Sequence, residues 1–315
     1  MLPPPALDAG TLDADSRFDA GFPDAASPDA SPRDAGLDAA TDDAATDGGA
    51  ATADEAARDA ASPLPPDTGG THTARPRGST ITEFGFYEYL PGGYSASGAT
   101  HRYPLLVFLH GRGERGNGTS QLDRVLRHGP PRLIQEAAWA PALPMVVVSP
   151  QTHRTDGNTN NWGGGDPEVL RRFIEDVLAL YRVDASRVDL TGLSHGANGV
   201  FDYLSRLDPG RSQIAAAAPI AGWGPRSGHE RARDVAVWCF VGSNDTPNFR
   251  QSGLFVTNYN AQLPAPPVAA KLTVFEGAGH DVWTRTYSGD GIGTATPEHA
   301  PFDMPLTSWM LLHTR

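Results

Sequence analysis

The stretch "DLTGLSHGANG", Asp189–Gly199, decides the fold. Leu190 and Thr191 continue the strand-forming run "RVDLT", and the residues after Gly196 favour a helix. Between them stands Gly192-Leu193-Ser194-His195-Gly196, a serine framed by glycines two positions before and two after it. A strand that turns sharply into a helix strains its apical residue and brings the flanking positions too close together for a Cβ. The spacing therefore marks a turn that lifts Ser194 out of the backbone, the posture of an exposed nucleophile.

A serine hydroxyl is a weak nucleophile at neutral pH and needs a base that is itself oriented by a third group. Ten histidines are available. His195 is adjacent to the serine, but consecutive side chains at a sharp turn diverge, which directs its imidazole away from Oγ and leaves its backbone N–H as the useful group. In this strand-to-helix arrangement the acid and then the base follow the nucleophile along the chain. Asp245 in "FVGSNDTP" ends one apolar run and His280 in "VFEGAGHDVW" follows another. Ser194, Asp245 and His280 are therefore the expected triad. Asp281 adjoins His280 and is excluded as the orienting acid by the same divergence. His128, His153, His229, His299 and His313 read as surface or structural residues.

A second oxyanion donor is expected from "HGRGERG", His110–Gly116, where glycines let the backbone approach a substrate carbonyl. The N–H of Arg112 is the candidate there, beside that of His195. The loop lacks both the G-K-[ST] ending and the G-x-G-x-x-G spacing of phosphate-binding loops, so nucleotide binding is not expected. "GDGIG" near the C-terminus is too short to indicate a calcium or nucleotide site.

Outward from these residues the pattern is α/β. Leu105–Leu109 and "MVVVSP" at Met145–Pro150 are continuous apolar runs, as in strands buried on both faces. "STITEFGFYEYLP" predicts a strand or hairpin opening the domain. Asp166-Pro167 starts a helix over Asp166–Tyr181, with Val169, Leu170, Phe173, Ile174, Val177 and Leu178 on one stripe. A further helix is expected at Gly196–Leu207, and strands at "QIAAAAPIAG", "VAVWCFVG" and Leu272–Phe275. The last helices are expected near Ser252–Leu263 and Met304–Leu312. Alternating strands and helices imply a mostly parallel, doubly wound sheet with sites at the strands' carboxyl ends. The stretch from Ile220 to Val235 holds no long apolar insertion, which points to an open cleft without a large lid.

Residues 1–79 differ in kind. The first eighty residues hold fourteen Asp and one Glu against five Arg, whereas the other 235 carry 22 acids and 20 bases. The acidity thus belongs to a loose Asp-Ala repeat, a segment too poor in apolar surface to offset its ordering entropy and expected to be a disordered linker. The catalytic domain is expected over 80–315. Without a basic excess it has no nucleic-acid signature. The single cysteine, Cys239, lies in a strand-like run and reads as core packing. No run is long and apolar enough to span a bilayer, and Met1 is not followed by a visible signal peptide. An acidic, Ala-rich stalk ahead of one compact domain nevertheless points to an exported or envelope-associated protein, the alternative being cytoplasmic.

With these motifs assembled, the chain resembles the α/β-hydrolases. More narrowly, it is similar to a bacterial carboxylesterase or "predicted peptidase" group related to dienelactone hydrolase, prolyl oligopeptidase catalytic domains, feruloyl esterases and polyhydroxybutyrate depolymerases. The likeness rests on "YPLLVFLHGRGERG", "HGPP" at His128–Pro131, "VVSPQ" at Val147–Gln151, "VDLTGLSHG", "AAAAPIAG", "GSND" and "GAGHDVWTRTY". It covers nearly all of 80–315 and departs in two places: His195 and Ala197 stand where the group usually has Met and Gly, and "SGDGIGTATPEHAPFD" is longer than usual. The resemblance implies a serine hydrolase cleaving carboxylic esters, with no cofactor or metal and with feruloyl or acetyl polysaccharide esters or a polyester as substrates. A serine peptidase with the same triad and a non-catalytic binding module are the alternatives. Trp162, Trp223 and Trp283 fall in loops near strand ends and are the candidate substrate contacts.

Overall fold

The structure, a computed structural model, describes residues 70, 72–98, 100–140, 143–152, 162 and 166–315. The expected acidic linker over 1–79 lies almost wholly outside the described residues, as does His153.

Eight strands form one sheet: β1 (His72–Arg75), β2 (Gly85–Tyr89), β3 (Tyr103–Leu109), β4 (Val146–Gln151), β5 (Val183–Leu193), β6 (Ala216–Ile220), β7 (Ala236–Gly242) and β8 (Lys271–Phe275). Their order across the sheet is β1-β2-β4-β3-β5-β6-β7-β8. β1 and β2 pair antiparallel, β2 pairs antiparallel with β4, and from β4 to β8 every pairing is parallel. β1 lies upstream of Ser79, where the change in composition placed the start of the domain. "HTAR" is a half-exposed edge strand without an apolar run, so composition alone did not reveal it.

The helices are α1 (Gly129–Gln135), α2 (Pro167–Leu180), α3 (His195–Arg206), α4 (Thr246–Asn260), α5 (Trp283–Ser288) and α6 (Leu306–Met310). The start of α2 follows the Asp-Pro signal, since the Asp166 side chain accepts the N–H of Glu168 at 3.0 Å. By contrast, α4 begins at Thr246, six residues ahead of the expected Ser252. Its Pro247 sits in the first turn, where a missing N–H costs no hydrogen bond. Its weak amphipathic pattern concealed the first turn and a half.

Strand alternation builds two cores, one on each face. In β3, Leu105, Val107 and Leu109 face the cluster that includes α2, α3 and α4, while Leu106 and Phe108 face the cluster with Trp283, Leu306 and Trp309. β7 divides likewise, with Cys239 on the first side and Trp238 and Phe240 on the second. Burying each such side chain contributes about 1.5–3 kcal/mol. This rigid sheet fixes the carboxyl ends of β3, β5, β7 and β8, from which the candidate site is built. Among the described residues no helix is long and apolar enough to cross a membrane.

Candidate active site

Ser194 stands between β5 and α3 at φ 51° and ψ −115°. A non-glycine residue with positive φ at this ψ is held in place at a cost of about 1–3 kcal/mol. The neighbours supply that restraint: Ser194 N–H donates to the Ile220 carbonyl at 2.9 Å, and Asn198 N–H donates to the Ser194 carbonyl at 3.1 Å. The flanking glycines are required by space. A Cβ on Gly192 would lie 2.6 Å from the Gly196 carbonyl oxygen, and one on Gly196 would overlap the Leu109 carbonyl oxygen.

The structure brings the three expected catalytic side chains together. His280 Nε2 lies 2.9 Å from Ser194 Oγ across 86 residues, and His280 Nδ1 lies 2.7 Å from Asp245 Oδ2. An ionised carboxylate only accepts, so Nδ1 carries the proton and Nε2 is left free to accept from the serine hydroxyl. The Asp245 side chain is 11% exposed and that of His280 46%, which leaves the imidazole edge open to solvent. Two loops set this geometry. Ser243 N–H donates to the Phe275 carbonyl and Asn244 N–H to that of Ala278, each at 3.0 Å, binding the Asp245 turn to the His280 loop.

His195 has a different environment. It is 7% exposed, and no hydrogen bond joins its imidazole to Ser194 among the described residues. Burial, with the nearby positive charges of Arg115 and Arg112, lowers its pKa to about 4. Its N–H opens α3, where an intrahelical acceptor is lacking. Arg112 begins a 3-10 turn, Arg112–Glu114, directly after Gly111. That loop packs on the serine turn: a Cβ on Gly111 would lie 2.8 Å from Leu193 Cδ1, and one on Gly196 2.8 Å from the His110 carbonyl. The two expected oxyanion donors therefore belong to adjoining segments. Asp281, for its part, faces away from His280, accepting the Thr284 N–H and hydroxyl, both at 3.2 Å.

Three supporting residues escaped sequence reasoning. Asn248 donates from Nδ2 to Asp245 Oδ2 at 2.8 Å, and recognising the true start of α4 would have placed it one turn from Asp245. His110 is buried, with Nε2 accepting the Thr152 N–H at 3.1 Å and Nδ1 2.6 Å from the Gly111 carbonyl. Burial lowers its pKa to about 3, so it is a neutral imidazole whose Nδ1–H donates to that carbonyl. Gln151 ties the same loop down through Nε2, which donates to the Glu114 carbonyl at 2.9 Å.

The three tryptophans separate. Trp162 is 2% exposed, donates from its indole to the His110 carbonyl at 3.2 Å and fills the space above Gly199. It packs beneath the loop and does not present a face to a cleft, a correction to its expected role. Trp283 is nearly buried, edge-on to His280 with ring centroids 5.1 Å apart. Trp223 is 54% exposed, its N–H held by Asn198 Oδ1 at 2.7 Å.

No family model matches the chain. A thermostable esterase of known structure aligns at a TM-score of 0.54 with 21% identity, over 78% of this chain and 63% of that one. The fold is that of the α/β-hydrolases. A feruloyl esterase module from Clostridium thermocellum complexed with sinapinate aligns at 0.47 with 17% identity, over 75% of this chain and 88% of that one. In sequence, the bifunctional acetylxylan esterase/xylanase XynS20E of Neocallimastix patriciarum is 26% identical over 180 residues, 56% of this chain and 24% of that protein. The chain thus spans about a quarter of the length of the curated relative it matches.

Proposed function

We propose that the protein is a serine hydrolase of carboxylic esters, working through an acyl-enzyme. The observation that carries this reading is the chain of contacts from Ser194 Oγ to His280 Nε2 at 2.9 Å and from His280 Nδ1 to Asp245 Oδ2 at 2.7 Å. Ser194 Oγ attacks the ester carbonyl carbon while its proton passes to His280 Nε2. Asp245 holds the tautomer and stabilises the imidazolium. The N–H groups of Arg112 and His195 receive the developing oxyanion, each contributing about 3–4 kcal/mol. As the tetrahedral intermediate collapses, the C–O bond to the alcohol breaks and the imidazolium protonates the leaving oxygen. Water then repeats the sequence on the acyl-enzyme, giving the free acid and restoring the serine.

Acetyl esters on polysaccharide are the favoured substrate class. The name of the similar acetylxylan esterase/xylanase and the exposed Trp223 support it. Labelling of the intact protein by a fluorophosphonate probe tests the chemistry. The expected result is stoichiometric labelling, lost in Ser194→Ala, with turnover of p-nitrophenyl acetate. An unlabelled native protein would remove the nucleophile claim, and turnover of peptide anilides in place of esters would overturn the substrate class.

A further inference from the structure

Beside the Asp245 turn lies a cavity of about 290 Å³ that the proposed ester chemistry does not use. Trp223, Arg226, Arg250 and Gln251 line it with Thr246, Pro247 and Leu254. It is tied to the serine turn through Trp223 N–H, which donates to Asn198 Oδ1. It also adjoins the start of α4, since Thr246 and Pro247 directly follow Asp245. A second hollow of about 470 Å³ shares Arg250 and Leu254 with it, so the groove continues along α4.

Two features of this lining are unusual together. The Trp223 indole is more than half exposed, against the general preference for packing so large an apolar ring. Both ionised groups on the wall are arginines, in a folded region close to neutral overall, and neither has an ion pair or hydrogen bond among the described residues. Asp245, which directly precedes Thr246 on the wall, is occupied by His280 and Asn248.

We propose that this cavity is a subsite for a carboxylate-bearing sugar, a uronic acid residue of the polysaccharide that carries the ester. The inference rests on the ester-hydrolase reading and specifies its substrate. A uronate meets both features at once. Its carboxylate pairs with the planar, permanently charged guanidinium groups of Arg226 and Arg250. The C–H face of its ring covers the indole of Trp223. A neutral sugar leaves the arginines unmatched, and an acidic peptide lacks the flat apolar face.

Calorimetric titration of the full-length Ser194→Ala protein tests this without turnover. The ligands are a glucuronic-acid-substituted xylo-oligosaccharide, the unsubstituted oligosaccharide of equal length and a hexaglutamate peptide. The substituted ligand should bind about tenfold more tightly than the neutral one, an advantage that shrinks as salt screens the charges. The peptide should bind weakly or not at all. Arg226→Gln with Arg250→Gln should bring the ratio to near one, Trp223→Ala should weaken both sugars, and Arg206→Gln, a change of charge on α3 away from the cavity, should preserve the ratio. Equal affinities in the unsubstituted cavity, or preference for the peptide, would overturn the subsite. If the native protein takes the fluorophosphonate label and the sugars are not discriminated, only the subsite falls. If sugars are discriminated and no label is taken, the ester reading falls instead.

Discussion

The space that a Cβ on Gly242 would occupy is filled by the carbonyl oxygen of Ala278. This contact, with the Asn244–Ala278 hydrogen bond at 3.0 Å, holds the turn carrying Asp245 against the loop carrying His280. Gly242→Ala must push those loops apart. Overpacking of this kind costs about 1–3 kcal/mol, and a displacement near 1 Å at reacting groups costs about 10²-fold in rate. The expected outcome is a folded variant with a modestly lower urea midpoint and kcat for p-nitrophenyl acetate reduced about a hundredfold. Unchanged kcat would show that the Asp245–His280 spacing is not set here.

The two imidazoles nearest Ser194 should respond differently to truncation. His280→Ala removes the group 2.9 Å from Oγ, and kcat should fall by about four orders of magnitude or more. His195→Ala keeps the main-chain N–H, so its loss should stay below about tenfold. Steady-state kinetics of both variants decides the matter; equal losses would return the base to His195.

A third prediction concerns His110. Its Nδ1–H holds the Gly111 carbonyl at 2.6 Å, and that carbonyl belongs to the same peptide unit as the Arg112 N–H. In a planar trans peptide the two point in opposite directions, so fixing one aims the other. His110→Ala should lower kcat about 10- to 100-fold with little change in KM, because only the transition state draws on the oxyanion donors. Fluorophosphonate labelling should slow in parallel. Loss of thermal stability without slower labelling would make His110 a packing residue alone.

Much of the fold was legible because parallel strands buried on both faces must be continuously apolar, as Leu105–Leu109 and Val235–Val241 are. The Ser194 turn was legible for a steric reason, its two glycines. Elements that owe their form to tertiary contact were hidden. Helix α1 opens with Gly-Pro-Pro, which reads as a break, yet glycine is required there, since Gly129 adopts φ 66° and Phe108 leaves no room for a Cβ. Helix α5 has six residues, too few to show a period. The supporting roles of His110, Gln151 and Asn248 depend on distances set by the whole sheet and on partners as far as 42 residues away, which local pattern does not encode.

Buried histidines should also make the fold acid-sensitive. Burial holds the pKa of His110 at about 3 and that of His72 at about 4, and His195 also lies at about 4. Each folded value lies below the unfolded value of about 6.5, so between them the unfolded chain binds protons that the native protein refuses. The stability these groups contribute is therefore complete above pH 6.5 and is lost as pH falls toward 4. Asp189 opposes them: burial raises its pKa well above the usual carboxylate range, so its contribution declines as pH rises from about 4. Burial also lowers His229 and His313 and raises Asp202, so five imidazoles stand against two carboxyls, and the urea midpoint should fall between pH 7 and pH 4.5. One fully buried histidine accounts for up to about 1.4 kcal/mol per pH unit. His110→Gln should therefore flatten the slope by about that amount, whatever its effect on stability at pH 7. Asp189→Asn should steepen the slope in acid and gain relative stability above neutrality. A slope that His110→Gln leaves unaltered would mean that this imidazole does not remain neutral in the native protein.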